Sequence, residues 1–180
     1  TVAGYRPETP ASNNGMYGPE GMPMSTPLDI RKGLTSADGV YHKLNWGIIS
    51  ASAIASDWIK CLQDVPGAKV TACAAREHSR AKSYAEDHGS ATAHVSYEEL
   101  CADPGVDIVY IGTKTADHSA HMLMAISAGK HVLCEKPFTE TAAQAREVYA
   151  AAKAKGLFCQ EGVWVRYFPA YEHAKAVIEL

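Results

Sequence analysis

A lysine at the end of a predicted strand is the residue of this chain best suited to acid–base chemistry. Lys136 stands between Glu135 and Pro137, and these three residues directly follow the apolar run His131–Cys134. Proline disfavours helical geometry for the residue before it, so we expect Lys136 to stay at the strand end. Beside a cationic ring, like-charge repulsion and partial desolvation would favour the neutral amine and suit the lysine to proton transfer. Without such a ring, Lys136 would be an ordinary surface lysine in a turn.

A second polar group follows the preceding strand. Thr113 and Lys114 come shortly after the buried run Ile108–Ile111, and His118 lies near the start of the helix that leads to the strand before Lys136. Strand, helix and strand within about thirty residues form a βαβ unit with parallel strands. Ligands of open parallel sheets bind at the carboxyl ends of the strands, so we expect these residues to meet at one edge.

The pair His118 and His121 has the HxxH spacing of some metal sites. A zinc site needs three or four ligands, and no third ligand is apparent nearby. The sequence therefore predicts no metal, and two helix-terminal histidines instead. Asp117 is interpreted as a helix-dipole or capping residue.

Strands and helices alternate through the chain from Leu44 onward, which predicts a doubly wound α/β domain with a parallel sheet of the Rossmann type. Ser96 followed by Glu99 predicts a capping box, and Thr139 or Thr141 is expected to cap a helix over Ala142–Lys155. The other strands are predicted at Leu44–Ile49, Lys69–Ala75, Ala93–Val95 and Leu157–Cys159.

The first strand-to-helix turn has a degraded glycine fingerprint. Dinucleotide-binding units use G-x-G-x-x-G/A before a helix that faces the pyrophosphate. Here Ser50, Ala51 and Ser52 occupy the start of that pattern, and Ile54 follows. Small side chains still let a phosphate approach the backbone, and a serine hydroxyl could donate to it. The alternative is an ordinary turn in which Ser52 is an N-cap.

The second strand end points to the form of the nucleotide. In NAD-preferring units an acidic residue there binds the ribose 2′-hydroxyl, whereas an arginine suits a 2′-phosphate. Ala74-Ala75-Arg76 carries no acid, and the arginine fork matches phosphate geometry. This favours NADP over NAD, the alternative being a solvated surface arginine.

Composition excludes several classes of function. The 180 residues are 47% hydrophobic, carry a net charge of −3 and contain five cysteines with no CxxC pair. These values fit a globular domain in a reducing compartment, which we expect to be the cytoplasm, and give no support for nucleic-acid binding. No apolar run is long enough to predict a membrane span.

The chain is predicted to have three parts. Residues 1–43, rich in proline and glycine, are expected to form a disordered leader. Residues 44–162 form the Rossmann domain, and 163–180 the crossover towards a further domain. Because the first residue is Thr1 and the last helix stops at Leu180, we expect a fragment, from which a targeting signal could have been lost.

Several segments together resemble one protein family. Lys130–Pro137 (KHVLCEKP) resembles the signature of the glucose–fructose oxidoreductase/inositol dehydrogenase (Gfo/Idh/MocA) family, and Tyr97–Thr113 is similar to its central segment. Ala74–Ala81 resembles an NADP-type second-strand end. Glu161–Ala170 (EGVWVRYFPA) is similar to the branch that contains dimeric dihydrodiol dehydrogenases and NADP-dependent D-xylose dehydrogenases.

The resemblance implies an oxidoreductase that moves hydride between NADP and a carbinol carbon of a sugar or cyclic diol. Lys136 would be the catalytic lysine, Glu135 would lie beside the nicotinamide ribose, and Arg76 would meet the 2′-phosphate. It also implies a homodimeric full-length parent whose C-terminal α/β substrate domain is missing here. The implied cofactor-binding residues are Ser50, Ala51, Ser52, Ile54, Arg76, Thr113, Lys114, His118, Glu135, Lys136, Trp164 and Arg166.

The sequence departs from the family pattern in two places, and two alternatives to the predicted oxidoreductase function stay open. Ser50 and Ser52 replace glycines, and Lys114 stands where many relatives have proline. The first alternative is a non-catalytic NADP(H)-binding module, since the substrate domain would lie beyond Leu180. The second is a doubly wound domain for another nucleotide-like ligand, since the glycine fingerprint is degraded.

Overall fold

The protein folds around one six-stranded parallel sheet. The structure, a computed structural model, describes residues 43–89 and 92–178, and the sheet has the order β3-β2-β1-β4-β5-β6. This is the strand order of dinucleotide-binding folds, so the predicted fold class is confirmed. The strands are β1 Leu44–Ile49, β2 Ala68–Ala74, β3 Thr92–His94, β4 Ile108–Ile111, β5 His131–Glu135 and β6 Cys159–Gly162.

Helices cover the two faces of the sheet. The first apolar cluster holds side chains of α1 and α2 against one face, and the second holds those of α3, α4 and α5 against the other. A 3₁₀ turn at Trp164–Tyr167 precedes the last helix. The helices are α1 Ala53–Leu62, α2 His78–His88, α3 Tyr97–Ala102, α4 Thr115–Ser127, α5 Ala142–Ala154 and α6 Pro169–Ile178.

Backbone contacts divide the chain into two units, Thr1–Lys43 and Leu44–Leu180. The first lies outside the described residues except for Lys43, so the predicted leader at 1–43 stays a prediction, as do the boundaries at 162 and 163. Within the described ranges, no helix is long and apolar enough to cross a membrane.

The prediction for the last strand was wrong. Leu157–Cys159 was expected, but β6 runs from Cys159 to Gly162. Leu157 instead closes the preceding helix through a bond from its N–H to the Ala152 carbonyl oxygen. The ladder pairs Glu135 with Gly162, so β6 reaches the carboxyl edge beside the predicted catalytic lysine. The other strands and helices begin and end within one or two residues of the predicted boundaries.

Helix capping differs from the prediction at one position. Ser96 caps α3 by accepting the Glu99 N–H at 3.1 Å, but the Glu99 carboxylate accepts from the N–H of Val95 rather than of Ser96. The reciprocal capping box therefore does not form there. A complete one occurs at the start of α5, between Thr141 and Gln144.

A glycine in β1 lets α3 and the following loop approach the sheet. A Cβ atom added to Gly47 would lie 2.8 Å from Leu100 Cδ2 and 2.9 Å from Val106 Cγ1. Both neighbours are fully buried, so neither can move without disturbing the core.

We expect Gly47→Ala to lower the free energy of unfolding by ~1–3 kcal/mol, because it overpacks this contact. Urea unfolding followed by circular dichroism measures the change. Ser83→Ala, at an exposed position of α2, is the control and should leave the midpoint nearly unchanged. An unchanged midpoint for Gly47→Ala would contradict the close packing.

Candidate active site

A groove of about 620 Å³ opens at the carboxyl edge of the sheet, where β1, β2 and β4 end. Ile49 is in register with Ala74 on one side and with Ile111 on the other, so the turns that follow these strands lie side by side. The groove is lined by Ser50, Ala51, Ser52, Ile54, Ala75, Arg76, Arg80, Tyr97, Gly112, Thr113, Lys114, Asp117 and His121.

Seven of the twelve predicted cofactor-binding residues line this groove. They come from three separate turns of the chain, which the parallel register brings together. The seven are Ser50, Ala51, Ser52, Ile54, Arg76, Thr113 and Lys114. The other five, His118, Glu135, Lys136, Trp164 and Arg166, are not among its lining residues.

The turn before α1 keeps the glycine geometry without glycine. Ser50 has φ of 104°, a conformation that favours glycine. Ser52 caps α1 by accepting the Ala55 N–H at 3.4 Å, and its hydroxyl donates to the Gly112 carbonyl oxygen at 3.1 Å. In this structure the Ser52 hydroxyl hydrogen is used by Gly112, so the donors that the turn offers to a phosphate are the Ser50 hydroxyl and the backbone N–H groups at the helix start. Donation from a serine hydroxyl stays a prediction.

Gly112, after β4, completes the floor of the groove. A Cβ atom there would lie 3.1 Å from both Ser52 Oγ and Tyr110 Cε1. A side chain at this position would therefore push the two turns apart by a few tenths of an ångström. The narrow, small-residue floor and the N-terminus of α1 suit a pyrophosphate.

We expect Ser50→Gly to raise the free energy of unfolding by about 1 kcal/mol, because it relieves a backbone strain of order 1–3 kcal/mol against a smaller entropic cost. The urea midpoint is the measurement. Ser83→Gly, in the exposed middle of α2, is the matched control and should lower the midpoint instead. If both variants are destabilised, Ser50 is not strained.

Two arginines line the groove beyond the end of β2. Arg76 was predicted there, although β2 ends at Ala74 and Ala75 intervenes. Arg80 was missed, and its Nη2 donates to the Ala51 carbonyl oxygen at 3.1 Å. Arg80 follows Arg76 by four residues, in the first turn of α2. This spacing could have indicated that both arginines lie at the same strand end. The two guanidinium groups together provide N–H donors and positive charge that suit a phosphate.

The opposite wall carries residues that the sequence did not predict as binding residues. His121 on α4 and Tyr97 on α3 meet edge to face, with ring centroids 4.9 Å apart. His121 Nδ1 lies 3.0 Å from Thr113 Oγ1. Asp117 lies in the first turn of α4 and lines the groove. It does not cap the helix, because no side chain caps the N-terminus of α4.

His118 connects two strand-end loops. It is only 1% exposed, and its ring nitrogens lie 2.9 Å from the Pro137 carbonyl oxygen and 3.2 Å from the Thr113 carbonyl oxygen. His118 and His121 therefore point to different partners. Among the described residues, no cluster of three or more His, Cys, Asp or Glu could hold a metal ion.

Lys136 is exposed at the end of β5, above a buried polar support. Its backbone N–H donates to Glu135 Oε2 at 3.2 Å, and the Tyr110 hydroxyl donates to Glu135 Oε1 at 2.8 Å. Burial and the neighbouring carboxylate raise the pKa of Tyr110, so the phenol keeps its proton. Trp58 stacks on Tyr110 with centroids 5.2 Å apart. Lys136 thus follows a strand end at which both carboxylate oxygens of Glu135 accept hydrogen bonds.

The two crossover residues lie after β6. Trp164, 53% exposed, packs edge-on against Phe168 with centroids 5.4 Å apart. Arg166 is also exposed, in the last turn of the 3₁₀ helix. Neither lines the groove, so their predicted contact with cofactor stays a prediction.

Comparison with known proteins agrees with this arrangement. Residues 44–163 match the GFO_IDH_MocA family, described as an oxidoreductase family with an NAD-binding Rossmann fold. The chain therefore belongs to the Gfo/Idh/MocA family of oxidoreductases, as the sequence predicted, and residues 44–163 are a nicotinamide-nucleotide-binding Rossmann domain.

Individual relatives are similar over the same part of the chain. The trans-1,2-dihydrobenzene-1,2-diol dehydrogenase of Bos taurus is 47% identical over 137 residues, and that of Homo sapiens 45%. In both cases the match covers 75% of this chain and 41% of the relative. The chain thus spans less than half the length of these relatives. A particular likeness to D-xylose dehydrogenases stays a prediction.

Solved structures give the same picture. KijD10, a 3-ketoreductase from Actinomadura kijaniata in complex with NADP, superimposes with a TM-score of 0.71 at 31% identity, covering 76% of this chain and 44% of its own. An NAD-binding oxidoreductase from Klebsiella pneumoniae gives 0.72 at 30% identity, covering 76% and 38%.

Proposed function

We propose that this chain is the NADP-binding part of an oxidoreductase that interconverts a hydroxyl and a carbonyl group on a sugar or cyclic diol. The observation that carries the proposal is the single groove in which the N-terminus of α1 lies opposite Thr113 and beside Arg76 and Arg80. The similar dihydrodiol dehydrogenases and the similar 3-ketoreductase support a substrate of this class.

The groove fits a dinucleotide in shape and in chemistry. Small residues and Gly112 leave room for a pyrophosphate at the start of α1, where backbone N–H groups and the helix dipole favour negative charge. The arginines at one end favour the 2′-phosphate of NADP over the bare ribose of NAD. Glu77, the nearest acid after β2, is exposed and is not among the residues that line the groove.

We expect Arg76→Ala to weaken NADPH binding by ~10- to 100-fold, the value of a charge-assisted phosphate contact, and to leave NADH binding within about twofold. Arg80→Ala should act in the same direction. Fluorescence titration of the two reduced cofactors measures both constants. Lys82→Ala, an exposed cation on α2 outside the groove, is the control. Equal losses for NADPH and NADH would contradict the assignment.

Lys136 is proposed as the catalytic residue. When bound, the nicotinamide supplies the hydride acceptor or donor. The exposed ammonium of Lys136 would hydrogen-bond the reacting oxygen and transfer its proton, while Glu135 and Tyr110 hold the strand end in place. His118 fixes the loop at Pro137 to the loop at Thr113, which keeps Lys136 in a constant relation to the groove.

We expect Lys136→Ala to bind NADPH as the unmodified chain does and to lose turnover by ~100-fold or more, since general acid–base groups contribute that much. Cofactor oxidation with cyclic diols and aldoses as substrates measures turnover, and Lys136→Arg tests whether charge alone suffices. Full turnover by Lys136→Ala would exclude this residue. Tight NADPH binding without turnover by the unmodified chain would favour a non-catalytic NADP(H)-binding module instead.

Three further points remain predictions. The family resemblance implies the homodimer of a full-length parent, whereas composition and charge led to the cytoplasmic location and the absence of nucleic-acid partners. Sedimentation of the longest expressed form tests the first.

A further inference from the structure

The groove has a polar wall that the proposed function leaves unexplained. It consists of Tyr97, Thr113 and His121, which we call the His121 wall. Tyr97 begins α3 shortly after β3, His121 lies on α4, and Thr113 follows β4, so the wall combines residues from both sides of β1 and β2. Lys136 follows β5, the strand next to β4 on the side away from β1.

The orientation of the His121 ring is fixed from two sides. Nδ1 lies 3.0 Å from the Thr113 hydroxyl oxygen, and Tyr97 packs against the ring at an interplanar angle of 80°. Within the described part of the chain, neither the Thr113 hydroxyl nor His121 Nε2 has another hydrogen-bond partner. The Thr113 hydroxyl donates to Nδ1 or accepts from it, depending on the tautomer of the ring. When it donates, the ring proton is on Nε2, and the ring, which lines the groove, has a donor for a ligand.

The charge state agrees with this geometry. Burial lowers the pKa of His121 below its usual value, and the neighbouring His118 lowers it further, against the opposing charges of Asp117 and Glu98. The ring is therefore neutral at physiological pH, with one N–H and one acceptor nitrogen.

The wall reaches the arginine end of the groove through Tyr97, which follows β3, the neighbour in the sheet of the strand that precedes Arg76. The pKa of Tyr97 is raised by burial and lowered by the positive charges of Arg76 and Arg80, so its hydroxyl is within their electrostatic reach. With the 2′-phosphate at these arginines and the pyrophosphate at α1, the adenosine half of NADP occupies this end. Adenine has ring nitrogens that accept hydrogen bonds and a flat face that packs on aromatic rings.

From this arrangement we infer that His121 is a specificity-determining residue that binds the adenine base through a hydrogen bond from Nε2, with Thr113 as its positioning residue. The inference rests on the proposed NADP function. It differs from the phosphate contacts of Arg76 because it concerns the base, which NADPH and NADH share.

The test compares His121→Phe, which keeps a planar ring against Tyr97 but has no polar atom, with His121→Gln, whose amide nitrogen can replace Nε2. Isothermal titration gives the affinities for NADPH, NADH and 2′,5′-ADP. We expect His121→Phe to weaken all three by the same factor, ~10-fold for one lost hydrogen bond, and His121→Gln to stay within about threefold of the unmodified chain.

Thermal unfolding of both variants shows whether each keeps its fold. If His121→Phe does not fold, the test uses His121→Gln and Thr113→Val instead. His121→Gln must then retain cofactor binding, and Thr113→Val must weaken it. Unchanged affinity of a folded His121→Phe for 2′,5′-ADP, or a loss confined to NADPH, would overturn the inference and leave the proposed function intact. Failure of the unmodified chain to bind either NADPH or 2′,5′-ADP would overturn the proposed function itself.

Discussion

The Ser52 hydroxyl donates a hydrogen bond to the Gly112 carbonyl oxygen across the point where the strand order reverses. From this point α1 packs on one face of the sheet and α4 on the other. The bond joins the turns that precede these helices, together with the backbone bond from the Gly112 N–H to the Ile49 carbonyl oxygen at 3.1 Å. A Cβ atom at Gly112 would lie 3.1 Å from Ser52 Oγ, so the centre of the groove is closely packed around this contact.

The polar groups at the carboxyl edge are of two kinds. Some are exposed to solvent, and others are buried and contact the backbone beside the exposed ones. Lys114, Arg76 and Lys136 are exposed, whereas His118 and Glu135 are buried: the Glu135 carboxylate accepts two hydrogen bonds, and the His118 ring lies between the Pro137 and Thr113 carbonyl oxygens. Buried polar networks of this kind fix geometry because breaking one leaves a partner without a hydrogen bond. The exposed groups are accessible to a ligand.

Much of this edge was predictable from the sequence because it depends on short-range patterns. Runs such as Ile108–Ile111 are buried on both faces of the sheet and are recognisable without tertiary information. The residues that were missed depend on what packs beside them. Arg80 and His121 lie on helix faces whose orientation is set by contacts from other elements.

The same limit explains the wrong boundary of β6 and the conformation of Ser50. Cys159–Gly162 has weak strand propensity, and it is the ladder with β5 that makes it a strand. Ser50 adopts a glycine-like φ because β1 and α1 on either side fix the path of the turn. In both cases the surrounding structure overrides the local preference of the residue.

The exit of the chain from β6 has a mechanical consequence. Gly162 pairs with Glu135, the residue before Lys136, and the 3₁₀ turn that carries Trp164 begins after a single connecting residue, Val163. The chain beyond Val163 thus leaves the sheet next to Glu135 and Lys136. Because Val163 is the single residue between β6 and the 3₁₀ turn, its backbone angles set the direction in which Trp164 leaves the edge of the sheet.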